Sequence, residues 1–244
     1  VTIGDKNQSY IFNSNSFTQG KRTATVNDFV FTPPSTTSLT YDGQSKSVTV
    51  IPKSGIKGMG NIIKVNYYLE DELIKGLPVN AGTYTVKINV DEGVFYDRRT
   101  DLTDNNWKFT INPAPISITG INITPHSGTY DGKPYAAISS VTGCPEDYTI
   151  RYSTDGKTWT DDCPTVKSVE DANHTNVYIQ ISKENYTTWT SDPQKANISP
   201  KNITIEINNL EKTYGTDNPK LTFKVSDQTP LVGDDTINLL DIKL

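Results

Sequence analysis

The chain has 244 residues and a mass of 27.0 kDa, with 23 Lys and Arg against 28 Asp and Glu and a formal charge of −5. That balance gives no sign of the basic surface that a nucleic acid or an anionic membrane selects, and neither is expected as a partner; no run approaches the ~20 apolar residues of a membrane span. Two His and two Cys are a poor stock for catalysis, while 13 Tyr, 7 Phe and 3 Trp supply large side chains to bury, so the chain reads as folded and non-enzymatic.

Residues 1–23 read as an N-terminal arm or the tail of a preceding module. Val1-Thr2-Ile3-Gly4-Asp5 has neither the basic nor the apolar stretch of an export leader, and reads as a cut made inside a longer protein. A first repeat is assigned to 24–112. It opens on an alternating strand, Val26 to Pro33, and reaches a turn at Tyr41-Asp42-Gly43. Ile63, Val65, Tyr67 and Leu69 then alternate with polar residues, as do Tyr84, Val86, Ile88 and Val90. Period-2 patterns of this kind bury one face of a strand and wet the other, as antiparallel sheets do.

A proline-bearing junction, Ile111-Asn112-Pro113-Ala114-Pro115-Ile116, closes that repeat. Proline has no amide donor and a fixed φ, so a strand stops there and a stiff linker results. The second repeat, 113–199, runs through the same order. Ile118 to Pro125 matches Val26 to Pro33, Tyr130-Asp131-Gly132 repeats the turn, and Tyr148, Ile150, Tyr152 and then Val177, Ile179, Ile181 alternate. After Ile198-Ser199-Pro200-Lys201-Asn202-Ile203, residues 200–244 form a partial third repeat with its turn at Tyr214-Gly215. The turn tyrosines stand at positions 41, 130 and 214, so the spacings are 89 and 84 residues. No segment carries a helical i, i+3, i+4, i+7 stripe. The predicted class is all-β, as tandem antiparallel β-sandwiches. With 45 residues and no Cys, the third repeat is too small for an independent core. It is either a half-module cut short or a β unit docked on its neighbour.

Several motifs resemble known modules. Asn80-Ala81-Gly82-Thr83-Tyr84 resembles the tyrosine corner of immunoglobulin-like domains, in which a Tyr hydroxyl bonds back to the chain. The second repeat has Thr175 and Val177 where the corner has Gly82 and Tyr84, so the corner belongs to the first repeat alone. Tyr41-Asp42-Gly43, Ala81 to Val86, Phe109 to Ala114, Tyr130-Asp131-Gly132, Tyr214 to Thr222 and Leu231 to Thr236 together resemble the MBG-type, YDG-containing immunoglobulin-like modules of bacterial surface proteins and adhesins. That resemblance implies an extracellular, repetitive, non-catalytic stalk or adhesive region. It implies no ligand and no cofactor.

Candidate chemistry is weighed against structural use. Asp bonds amides two residues on and Gly supplies a positive φ, so Tyr-Asp-Gly is expected to be a turn anchored by its Tyr. Asp155-Gly156 is expected to make a two-residue type I′ hairpin; Ser153 to Trp159 falls one residue short of an Asp-box. Asp101, Asp104, Asn105 and Asn106, and the pair Asp161-Asp162, are the loop acids a Ca²⁺ site would draw on, but no known calcium-loop spacing appears. Cys144 and Cys163 are a candidate disulfide, since an exported protein permits oxidation. A two-residue turn at Asp155-Gly156 sets Cys163 opposite Tyr148, so the bridge requires Cys144 to Asp147 to fold back. Trp189, in the polar run Tyr186-Thr187-Thr188-Trp189-Thr190, is the aromatic expected to be exposed and the speculative glycan contact. Six Asn-x-Ser/Thr triplets are ascribed to composition.

The expected function is therefore a stalk, spacer or adhesion module of an exported bacterial surface protein. Its partner would be an unknown protein or glycan at the cell surface, and the fragment is read as a monomer. The alternative is a carbohydrate-binding accessory module that uses exposed aromatics.

Overall fold

Alternation in the sequence becomes one-sided burial in the computed structural model, which describes residues 20–35 and 39–240. The arm assigned to 1–23 lies mostly outside these residues. The chain divides into two compact units, Val1–Pro113 and Ala114–Leu244, and strands of three or more residues are numbered along it. The class is all-β.

In the first unit β1 (Phe29–Thr32) pairs antiparallel with β2 (Thr49–Pro52). A second sheet is built on β3 (Ile62–Leu69) and β4 (Gly82–Val90), also antiparallel. β4 pairs further with β5 (Arg99–Leu102) and β6 (Lys108–Ile111). Tyr84, Val86, Ile88 and Val90 all point inward and are buried, while Thr85, Lys87 and Asn89 alternate outward. One apolar cluster draws on both sheets, joining Phe29 and Val50 to Tyr67, Phe109 and Ile111. Trp107 sits between them, stacked on Phe31 at 5.7 Å and edge-on to Phe29 at 6.1 Å. Each large side chain buried this way stabilises by about 1.5–3 kcal/mol. The predicted inward set on β3 fails at one residue. The register slips between Ile62 and Lys64, and this bulge leaves Ile63 53% exposed.

The second unit is built from β7 (Asn122–Pro125), β8 (Ser127–Thr129), β9 (Ile138–Thr142), β10 (Thr149–Ser153), β11 (Tyr178–Ser182) and β12 (Asn197–Ser199). β7 pairs with β9 and β10 with β11, both antiparallel; β8 and β12 run parallel. Ile138, Val177, Ile179, Ile181 and Ile198 form its buried cluster. Sequence periodicity misses one element, the short helix α1 (Val169–His174). It is too brief to show an apolar stripe, but a capping box does mark it. The Ser168 hydroxyl accepts from the Asp171 amide, and the Asp171 carboxylate accepts from the Ser168 amide.

Residues 200–240, within the second unit, hold an antiparallel pair of β13 (Ile205–Ile207) and β14 (Phe223–Val225) and a 3₁₀ turn at Ile237–Leu240. Glu206 and Lys224, directly opposite, pair at 3.2 Å on one face of the two strands.

Candidate functional site

The Tyr-Asp-Gly turns are built alike in both units. Asp42 Oδ1 accepts the Gln44 amide at 2.9 Å, and Asp131 Oδ1 accepts the Lys133 amide at 3.0 Å. Gly43 and Gly132 follow with φ of 74° and 77°, the left-handed backbone such a turn requires. The second carboxylate oxygen is also used, in each case by the side chain four residues after the Asp. Lys46, buried, bonds Asp42 Oδ2 at 2.7 Å; the Tyr135 hydroxyl bonds Asp131 Oδ2 at 2.6 Å. The Lys46 and Gln44 donors hold the Asp42 carboxyl below its ordinary range, and the Tyr135 and Lys133 donors do the same for Asp131. Sequence reasoning did not single out Lys46 or Tyr135, whose only signal was that spacing.

Each turn is tied to a later segment of its own unit. The Tyr41 amide donates to the Asn112 carbonyl at 2.8 Å, and the Tyr130 amide to the Ser199 carbonyl at 2.9 Å. Thr40 bridges Asn112 in parallel, as Thr129 pairs with Ser199. The Tyr rings pack against the two cores. At Tyr214 the following residue is Gly215 in place of Asp, so no carboxylate closes the turn. The Thr216 amide and hydroxyl cap the Thr213 carbonyl instead, and Tyr214 is fully exposed.

Around the second turn His126, Tyr130, Asp131, Tyr135 and Lys167 crowd together and leave no room for a water molecule between them. His126 stacks on Tyr135 with centroids 4.3 Å apart. Gly233-Asp234-Asp235, from the third repeat, closes over this turn. The Tyr130 hydroxyl donates to Asp235 at 3.0 Å, which raises the Tyr130 pKa, and Lys167 pairs with Asp234 at 3.4 Å. Gly132 and Gly233 meet so closely that a Cβ on Gly132 would lie 2.9 Å from the Gly233 Cα.

The remaining sequence candidates lie apart from these turns. The Tyr84 hydroxyl donates to the Asn80 carbonyl at 2.8 Å, while Gly82, at φ 154°, begins β4. The loop at Asp155 is not the expected two-residue turn. Tyr152 and Thr160 exchange both backbone hydrogen bonds, which leaves seven residues between them. Asp155 organises that loop, accepting from the Lys157 and Thr158 amides at 2.7 Å each and from the Ser153 and Thr158 hydroxyls. The Thr158 and Lys157 amides are the main cause of a strongly depressed Asp155 pKa. The contribution of such a group is present above the unfolded-state pKa and is lost as pH falls through the lower folded-state value. Asp155 will therefore stay ionised at about pH 3, below the ordinary Asp midpoint of roughly 3.9. Carboxyl ¹³C shifts through an acid titration read this directly, and an ordinary Asp155 midpoint would refute it.

The expected bridge is corrected: Cys144 and Cys163 are both free. After Thr160 the chain crosses to the start of β9, where Cys163 Sγ accepts the Ile138 amide at 3.4 Å. Cys144 follows the far end of that strand, and β9 alone spans roughly 13 Å at the usual rise per residue, beyond the ~7 Å reach of a disulfide. Burial raises both thiol pKa values, helped at Cys144 by the Asp147 charge. Alkylation of the denatured, unreduced protein should add two labels by intact mass; a protein that takes none is bridged.

Trp189 is corrected as well. It is half-buried, pairs across from Ile181 and packs against the second core. Trp107 is buried and Trp159 half-buried. Among the described residues no group of three His, Cys, Asp or Glu side chains could hold a metal ion, and no helix is long and apolar enough to cross a membrane. Comparison with family models, curated proteins and solved structures finds no match.

Proposed function

We propose that the chain is a tandem immunoglobulin-like β-sandwich region of an exported bacterial surface protein, acting as a non-catalytic spacer or adhesion module of the MBG type. The observation that carries this reading is the shared frame of the two units. Each has an Asp-closed turn, a Tyr packed on the core, and a pre-turn segment held parallel to a later segment of the unit. In the first unit, two antiparallel layers around one apolar cluster suit an immunoglobulin-like sandwich. The oxygens of Asp42 and Asp131 are spent on the turns themselves. Repetition of a scaffold whose polar groups are used internally favours a part valued for length.

The carbohydrate-binding alternative gains nothing from the placement of Trp189 against the core. A reporter displayed on a bacterial surface above this chain should be as open to antibody as one on an unrelated β-module spacer of equal length. A glycan array probed with the chain should be blank. A glycan signal that vanishes in Trp189→Ala would replace the spacer with the carbohydrate-binding module.

A further inference from the structure

The acidic net charge of the chain conceals how lysines are placed in the first unit. The inner face of its larger sheet is core, and the outer face carries Lys64 and Asn66 on β3, Lys87 on β4 and Lys108 on β6. Lys64 stands opposite Asn89, Asn66 opposite Lys87 and Lys108 opposite Thr85, so the three amines fall on one diagonal across three strands, with about 7–8 Å between neighbours. Lys75 joins them from the segment that follows. Leu73 pairs with Tyr68, the Ile74 amide donates to the Tyr67 carbonyl at 3.0 Å, and the chain continues beside β3. Among the described residues none of the four lysines enters an ion pair, and Lys87 lies 4.2 Å over the Tyr68 ring. Acids stand at the margins, Asp101 and Asp104 beyond β4 and Glu70 to Glu72 at the turn after β3.

Between β3 and residues 73–77 runs an open groove with about 480 Å³ of space for solvent, lined in part by Lys64, Asn66, Leu73, Lys75 and Leu77. Leu73 and Leu77 are 53% and 47% exposed. Asn66 is the reverse, 7% exposed, and among the described residues its side-chain amide makes no hydrogen bond. An amide shut in and left unbonded costs the fold free energy that a bound ligand returns. Like charges on neighbouring strands cost it more. One kind of ligand relieves both: an anion that also carries amides.

Amine, amide and apolar groups set along one groove match an extended peptide. Carboxylates answer the lysines, main-chain amides answer Asn66, and apolar side chains cover the leucines. A sugar polyanion would answer the amines and leave Leu73 and Leu77 wet. We infer that the outer face of β3 and β4, with the groove beside it, is a docking site for an extended acidic segment of another protein, in which carboxylate and apolar side chains alternate along the side turned to the sheet. This goes beyond the spacer reading and does not rest on it, since display height tests the one and peptide binding the other.

The test uses the full chain and a fluorescent peptide of the repeat Glu-Ser-Leu-Ser, with Gln-Ser-Leu-Ser as its neutral counterpart. Fluorescence anisotropy should show saturable binding of the first and none of the second, weakening as salt rises. Lys64→Glu with Lys108→Glu should weaken binding at least about tenfold. Lys157→Glu with Lys220→Glu, which shift the net charge equally but lie in the second unit, should leave it within about twofold. Asn66→Val should weaken binding while the thermal midpoint holds or rises, because the amide it removes has no bond to lose. A peptide that does not bind, or binding that falls equally in the two charge-reversed pairs, would overturn the inference. Heparin or phosphatidylglycerol vesicles that bind at least as tightly as the peptide would overturn it too, since the face would then serve a different polyanion. If Asn66→Val lowers stability and binding together, Asn66 belongs to the fold and the groove is not the site.

Discussion

Tyr84→Ala will lower the stability of the first unit by about 3–5 kcal/mol, in the range of buried aromatic truncations, whereas Tyr84→Phe will cost only about 1 kcal/mol. The ring is 2% exposed, stacks on Phe109 with centroids 5.5 Å apart, and occupies the centre of the cluster shared by the two sheets. Removing it leaves a cavity walled by β4 and β6, which are fixed by their own ladders and collapse poorly. The Phe variant keeps the packing and loses only the hydroxyl bond to the Asn80 carbonyl. Amide hydrogen exchange followed by mass spectrometry separates the units without cutting the chain. Peptides spanning β4 should lose protection by two or more decades in Tyr84→Ala, while those spanning β11 stay unchanged. Equal losses in the two variants would mean that the corner, and not the ring, carries the stability.

Gly60→Ala should be nearly as damaging, at about 3 kcal/mol. A Cβ there would stand 2.1 Å from the Asp91 carbonyl oxygen, inside a tight backbone crossing. The Asp91 amide bonds the Asn61 carbonyl and the Phe95 amide the Gly58 carbonyl, at 2.8 and 2.9 Å, so neither chain can retreat without breaking a bond. Gly43→Ala is the matched comparison. Its Cβ would meet nothing within 4 Å, and only the positive φ of 74° opposes it, a cost of about 1–2 kcal/mol. Urea unfolding of the two variants should rank them in that order; a reversed rank would show that turn conformation outweighs backbone contact.

Strands were legible where one face is buried and the pattern runs for several residues, as at Tyr84–Val90 and Val177–Ile181. The Asp-Gly turns were legible because their chemistry is local, the carboxylate reaching an amide two residues on. Features set by distant chain were not. The bulge at Ile63 depends on register against β4, and the separation of Cys144 from Cys163 depends on which strand the chain joins after Thr160. Trp189 lies in a polar run, yet its strand partner Ile181 is buried, and pairing carries the ring onto the core. The Asp155 loop misled for a related reason. Asp-Gly signals a tight turn, but here the Asp side chain makes enough bonds to close a seven-residue loop.

The parallel closure of each unit has a mechanical consequence. When two neighbouring strands run the same way and much of a unit's chain lies between them, a pull on the chain either side slides one strand along the other. The ladder is then loaded in shear, and its hydrogen bonds must fail together instead of one at a time. The second unit joins Ser127–Thr129 to Asn197–Ser199 through three residue pairs in one ladder, while the first splits its parallel contacts between two pairs, Arg22–Thr23 with Tyr96–Asp97, and the separate bridge of Thr40 to Asn112. Stretched in series, the two would give way at different forces, the first unit before the second. Its extension would take up sudden tension while the second remained folded.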